Sequence, residues 1–456
     1  MNHHHNNRNS DRRSKPQQRR QGTRSKTCIQ KSKFDTAYDE AETLQQRAER
    51  SKGKHSLELF EKSRLKYLEA LQTDDGMPEK MLDCTCLLAE VEQSMAQEVL
   101  RANEALVCGT CVEDVINEAA IQNERATVQQ ACSLFHAAVE HYKSTSTNDI
   151  ASMRVDCLNN CANTLAEWGD AVVDSDQARP LFVESRMFYE VALQKEEDSG
   201  TWSNIADMLV SHAACEASCG SGEAQSLYEK GMEAYGRACE LCSSRNGDNL
   251  SALLTDWGSG ILQYAEWMSE KVGRVSDAQI ALEEAEKRSC HAVSFDRGST
   301  APHLALGDVY VAMAENCIKS KDFEKALELT RKAMGDGYDM ALRIQKSCVD
   351  ALIGNAEALA LQAKILRMAT NAEWQSVLDM AVSMYQKALE SGSISGTIRE
   401  KSNLFYNIAC CLVGVGRIQE ALHVIQVLLQ AATTTVEDVM RDEDLLPLHS
   451  MLHTKA

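Results

Sequence analysis

The residue types able to do chemistry are abundant here but scattered. Cysteine comes first, with 17 in the chain. Several stand in close pairs: Cys84 and Cys86, Cys108 and Cys111, Cys157 and Cys161, Cys215 and Cys219, Cys239 and Cys242, Cys410 and Cys411. A spacing of three or four puts both thiols on one face of a helix. A zinc centre needs about four converging ligands, commonly two such pairs joined by a short knuckle. These pairs fall instead on different predicted helices, far apart in the sequence. Cysteine is also a small apolar residue suited to tight helix packing, so the pairs are expected to be structural thiols. Cys108-Gly-Thr-Cys111 is the most exposed-looking pair, but no βαβ pattern surrounds it.

The histidines do no better. His136, His141, His212, His291, His303 and His423 are dispersed, and His136 and His141 are five apart, off the i, i+4 spacing of a helical metal pair. Paired acids such as Glu196-Glu197 and Glu283-Glu284 read as solvated faces. No glycine-rich phosphate loop follows a strand; Gly220-Ser221-Gly222 reads as a turn and Gly258-Ser259-Gly260 as a close-packed helix face. No catalytic site, metal or cofactor is expected.

Charge is more informative. The chain carries a formal charge of −19. Residues 1–33 hold ten Lys or Arg and one acid, Asp11, which leaves 38 basic and 66 acidic residues, a net of −28, on the rest. Such a body repels nucleic acid and anionic lipid. The basic arm has three readings. Arg12, Arg13, Lys15, Arg19 and Arg20 form a loose split nuclear-localisation cluster. The arm also suits RNA or anionic lipid, or it lies on the acidic body and shields it. Its composition is that of a disordered segment.

The elements that must position these residues are helices. There are 5 prolines and 5% aromatics against 44% hydrophobic residues, a balance that favours helix over sheet. No run of 18 apolar residues occurs, so no spanning helix is expected. The N-terminus has no apolar core of a signal peptide, which predicts a cytoplasmic protein, with the arm leaving a nuclear reading open. Pro78, Pro180 and Pro302 fall where helices should begin. Gly335–Gly337 reads as a break.

Internal similarity decides the organisation. Residues 59–72 (LFEKSRLKYLEALQ) match residues 181–194 (LFVESRMFYEVALQ) at eight of fourteen positions. A third copy starts at Leu227 (LYEKGMEAYGRACE) and a weaker one at Met384. Each has apolar residues at i, i+3/i+4 and i+7, the pattern of an amphipathic helix. A second helix type precedes them, in which a large apolar residue is followed by Gly or Ala: Trp168-Gly169, Trp257-Gly258, Leu306-Gly307, Ile408-Ala409.

This alternation resembles the tetratricopeptide repeat family. In residues 403–431 the positions Ile408-Ala409, Leu412, Gly416, Ile418 and Ala421-Leu422 fall on the family's spacing; in 300–334, Leu306-Gly307, Tyr310, Phe323, Ala326 and Ala333 do so. Most units run to 40–50 residues, longer than the family's usual ~34. The resemblance implies an all-α, right-handed solenoid of antiparallel helix hairpins: a basic arm over 1–35, about eight hairpins over 36–431, and a capping helix and tail over 432–456. It also implies a concave groove lined by the first helix of each hairpin. The residue after the small Gly or Ala then faces the ligand: Asp170, Asp207, Ser259, Asp308 and Cys410. Chaperone-binding members use Asn and Lys there to clamp a carboxylate; aspartates would repel such a tail. The expected function is a non-catalytic scaffold or adaptor that takes a basic or neutral protein segment in an acidic groove. The alternative is an RNA- or ribonucleoprotein-associated protein using the arm.

Overall fold

A computed structural model describes residues 32–73, 76–104, 111–146, 149–172, 174–244, 249–391 and 397–452. Arg12, Arg13, Lys15, Arg19 and Arg20 lie outside the described residues. Among the latter, helices follow one another without a strand: α1 (Lys33–Glu49), α2 (Gly53–Leu71), α3 (Pro78–Glu104), α4 (Val112–Val115), α5 (Glu118–Ser144), α6 (Val155–Ala171), α7 (Ser175–Lys195), α8 (Ser199–Ser218), α9 (Ala224–Ser244) and α10 (Leu250–Trp267). The second half comprises α11 (Val275–Phe295), α12 (Ala301–Lys319), α13 (Phe323–Lys332), α14 (Asp339–Ile344), α15 (Val349–Met368), α16 (Trp374–Glu390), α17 (Ile398–Gly414), α18 (Ile418–Gln430), α19 (Val436–Arg441) and α20 (Leu446–Leu452). None is long and apolar enough to cross a membrane.

The helices pack as eight successive hairpins: α1/α2, α3/α5, α6/α7, α8/α9, α10/α11, α12/α13 with α14, α15/α16 and α17/α18. Each second helix also touches the first helix of the next hairpin, so the chain is an α-solenoid in which every unit buries its apolar face against its neighbours. The first helix begins at Lys33 rather than 36, because the Ser32 hydroxyl caps it by accepting from the Asp35 amide.

A column of tyrosines holds the hairpins together. Tyr67, Tyr189, Tyr235, Tyr338 and Tyr385 each stand three residues before a buried alanine, namely Ala70, Ala192, Ala238, Ala341 and Ala388. These tyrosines, with Tyr142 of α5, are at most 2% exposed. The small alanine lets the helices close while the ring fills the space between them. Truncating such a ring to alanine costs about 3–5 kcal/mol. The column breaks at hairpin 5, where Ser289 of α11 takes the place of tyrosine.

Three sequence expectations change. Pro180 does not open α7. The helix begins five residues earlier, capped by the Asp174 side chain, which accepts from the Asp176 amide; Pro180 therefore sits inside the helix. Gly335–Gly337 is not a break. Residues Ala333–Tyr338 form a π-helical stretch that carries α13 into α14. The reason is close approach: a Cβ on Gly337 would stand 2.6 Å from the Gly307 backbone, and one on Gly307 would stand 2.6 Å from the Tyr338 ring. The capping segment is not one helix. Asp442 ends α19 and caps the 3-10 turn Glu443–Leu445, after which α20 starts.

The array also bends back on itself. The short helix α4 and the residue after it carry Val112, Val115 and Ile116, which bury among the residues of hairpins 7 and 8. The Glu124 carboxylate of α5 accepts from the Ile398 amide at the start of α17, 3.2 Å away. Glu113 pairs with His423 of α18. Hairpin 2 is thereby tied to the far end of the solenoid.

Candidate functional site: the inner carboxylate face

The first helices of the hairpins share one face, and the tyrosine column fixes its register. The Tyr67 hydroxyl donates to Gln45 Oε1 at 2.8 Å and that of Tyr142 to Gln93 Oε1 at 3.5 Å. Tyr189 donates to Asn163, Tyr235 to Asp207, and Tyr338 to Asp308 Oδ1 at 2.7 Å. Ser259 takes the same place in hairpin 5, since Gly258 meets Ser289 as Gly307 meets Tyr338. Glu357, after Ala356, shares a cleft with Tyr385 in hairpin 7. The column therefore reads Gln45, Gln93, Asn163, Asp207, Ser259, Asp308, Glu357, neutral at one end and acidic towards the other.

This register corrects one expectation. Asp170 is not the equivalent of Asp207 and Asp308; Asn163 is. Gly169-Asp170 looked equivalent because it follows the same small-residue pattern, but Gly169 packs against Phe182, not against Tyr189. Asp170 still shares the face, because seven residues make two helical turns. Cys410 is half-buried, and its thiol faces Asp442 of the capping segment at 3.7 Å.

The structure also adds acids that the sequence reading passed over: Glu167, Asp256, Glu266, Glu315 and Glu357. The signal was present as helical spacing. Glu315 lies seven residues after Asp308, and Ser259, Gln263 and Glu266 follow Asp256 at three, seven and ten. These side chains reach solvent, yet they line the hollow of the array, where surrounding protein strips much of their hydration. That desolvation pushes Asp170 and Asp207 up to about 6, and Glu266 and Glu357 up to about 7. It also raises Glu167, Asp256, Asp308 and Glu315 above the usual carboxylate range. Neighbouring acids add to the effect: Asp256 and Asp170 act on Asp207, and Glu315 and Asp308 on Glu266.

Neutral donors steady the stretch from hairpin 3 to hairpin 4, with Arg101 adding a weaker attraction at Glu167. Gln97 Nε2 donates to Glu167 at 2.8 Å, Ser211 bonds Asp170, and Asn204 Nδ2 donates to Asn163 at 3.0 Å. A small cleft of about 160 Å³ opens there between Asp207, Ser211, Tyr235, Asp256, Ser259 and Gln263. Cations gather towards the far end, beginning with Lys319 beside Glu266 and Glu315. Lys364 and Arg367 line a cleft of about 460 Å³ with Glu315, Glu357, Tyr406 and Asn407, and Arg367 is already paired with Asp444 at 2.5 Å.

Among the described residues, no three His, Cys, Asp or Glu side chains are placed to hold a metal ion. The thiols are not all remote from one another, however: Cys86 of α3 and Cys157 of α6, from two different sequence pairs, meet with their sulfurs 2.6 Å apart. Sequence distance had suggested otherwise; the stacking of hairpin 2 on hairpin 3 erases it.

No family model matches the sequence, and no curated protein matches it. Solved structures of low identity are similar in architecture. The S. pombe nuclear import adaptor Nro1 is 13% identical, with 70% of this chain and 98% of that chain covered and a TM-score of 0.39. A circular tandem repeat protein is 14% identical, covering 92% and 95%, with a TM-score of 0.32. A thermophilic TPR protein of Thermus thermophilus is 15% identical, covering 50% and 92%, with a TM-score of 0.29. What the chain shares with them is an all-α array of repeated helical hairpins.

Proposed function

We propose that this chain is a non-catalytic scaffold or adaptor whose inner face takes a basic or neutral segment of a protein partner. The observation that carries the reading is the row Asp170, Asp207, Asp256 and Asp308. These are four partly dehydrated carboxylates with no lysine or arginine acting on them. Leaving acids dehydrated and uncompensated is unfavourable for the free fold. A cationic side chain laid among them restores the charged form, which is binding energy held in reserve. An acidic tail meets only repulsion.

The test uses the full chain and its Asp170→Asn/Asp207→Asn/Asp308→Asn variant. Labelled peptides of equal length, one lysine-rich and one glutamate-rich, serve as probes, and a cell-extract pulldown with both chains reports natural partners. The wild type is expected to bind the lysine-rich peptide alone, and the variant to bind it about 100-fold more weakly at low salt. That corresponds to about 1 kcal/mol for each lost ion pair, the upper end for surface pairs. Equal affinity of the two chains for the cationic peptide and for the captured partners overturns the reading.

A further inference from the structure

We propose that Cys86 and Cys157 form an oxidisable dithiol that a peroxide converts to a disulfide, stapling hairpin 2 to hairpin 3. The sulfurs stand 2.6 Å apart, well inside non-bonded contact, on helices that neighbour each other in the stack. Both are buried, at 6% and 2% exposure. Arg154, at the mouth of the site, is exposed and spans from α6 to α3, pairing with Asp83 and Asp156. Solvent is therefore one side chain away.

The surroundings select these two thiols. Either thiol can donate across the contact; with Cys86 as the thiolate, Cys157 donates and Arg154 adds positive charge, and together they lower Cys86 against its burial. The second proton of the pair is correspondingly harder to remove. The sequence neighbours are not activated: burial pushes Cys84 and Cys161 up to about 12.

The chemistry balances with a hydroperoxide as oxidant. The Cys86 thiolate attacks one peroxide oxygen, the O–O bond breaks, and the leaving oxygen takes a proton to depart as water or alcohol. Cys86 is left as a sulfenic acid. The Cys157 sulfur then attacks the Cys86 sulfur; the S–S bond forms, the S–O bond breaks, and the hydroxide leaves as water with the Cys157 proton. Two thiols lose two electrons and one peroxide gains them. A dithiol reductant reverses the change.

The consequence is local. The Asn160–Glu90 bond at 3.1 Å and the Gln93 and Gln97 bonds to Glu167 also cross between α3 and α6. A covalent link there fixes the neutral end of the inner face.

The experiment treats the reduced full-length chain with hydrogen peroxide, blocks the remaining thiols, and maps peptides without reduction. The expected product is a Cys86–Cys157 cross-linked peptide, with Cys84 and Cys161 recovered blocked. Its thermal midpoint exceeds that of the reduced chain and returns after dithiothreitol. Cys157→Ser, which hardly alters volume, loses both the cross-link and the shift. Recovery of both Cys86 and Cys157 as blocked thiols, under conditions that oxidise the exposed Cys111 and Cys219, overturns the proposal. So does a cross-link between other cysteines, or a midpoint shift that survives in Cys157→Ser.

Discussion

Tyr338 and Asp308 offer the most direct measurement of how the inner face is held. The Tyr338 ring is wedged between Gly307 and Gly354 and is 2% exposed, and its hydroxyl donates to Asp308 at 2.7 Å. Tyr338→Phe keeps the ring and removes only that donor. A hydrogen bond to a charged acceptor contributes about 1.5–3 kcal/mol, against about 1 for a neutral pair. Asp308 also reaches solvent, so the lower end applies and the single variant should lose about 1.5 kcal/mol. Asp308→Asn keeps an acceptor but removes the dehydrated charge, so in that background the same Tyr→Phe change should cost only about 0.5–1 kcal/mol. The double-mutant cycle then closes with a coupling of about 0.5–1 kcal/mol. Urea unfolding gives the totals. Because a stacked array need not unfold in one step, hydrogen exchange in α12 is the decisive local readout, with opening expected about tenfold more frequent in Tyr338→Phe. The phenol also lowers Asp308 against its burial, so the Asp308 carboxyl should titrate higher in the variant. Energies that add within about 0.3 kcal/mol, with no change in that titration, would refute the view that the tyrosine column orients the acids.

Three further outcomes follow from the same geometry. The free protein should be more stable near pH 5.5 than near pH 7.5. Asp170, Asp207, Glu266 and Glu357 titrate higher folded than unfolded, so the folded state holds extra protons and stability falls as pH rises through about 6–7. His141, raised by Glu92, loses its contribution in the same direction as pH rises, while His212, lowered by burial, opposes them both; a thermal midpoint that climbs steadily to pH 7.5 contradicts this balance. Gly354→Ala should cost about 1–3 kcal/mol despite alanine's better helix propensity, because the new Cβ would run into the pinned Tyr338 ring, whereas Gly335→Ala meets open space and should not destabilise; denaturation midpoints separate the two. Val115→Asp puts a charge where the side chain is 0% exposed and should free α4 from hairpins 7 and 8. Limited proteolysis should then cut near residue 115 while the helical circular dichroism stays, and an uncut chain counts against the tie.

Much of the architecture was legible in one dimension. The repeated amphipathic pattern is local, so copies such as 59–72 and 181–194 showed a helix each time, and the small residue at Gly307 or Gly258 showed where a second helix must come close. Acids on the inner face were legible at Asp207 and Asp308, which follow a recognised small residue, but not at Glu357, although it follows Ala356. The exact register was not. Asp170 and Asn163 lie two turns apart on one face, and only the partner tyrosine from the other helix of the hairpin tells them apart.

The amino-acid sequence by itself determined the helices, their pairing into hairpins and the acidic balance of the body, because propensity, periodicity and charge are properties of neighbouring residues. Tertiary structure decided everything that depends on which hairpin faces which. It carried Gly335–Gly337 into a π-helical stretch, and only the Gly307 backbone explains why glycine is needed at Gly337. It gave Asp207 and Glu357 their raised titration, because dehydration comes from the walls of a hollow built by distant segments. It brought Cys86 to Cys157 and Val115 to hairpins 7 and 8, meetings that spacing along the chain could not foretell.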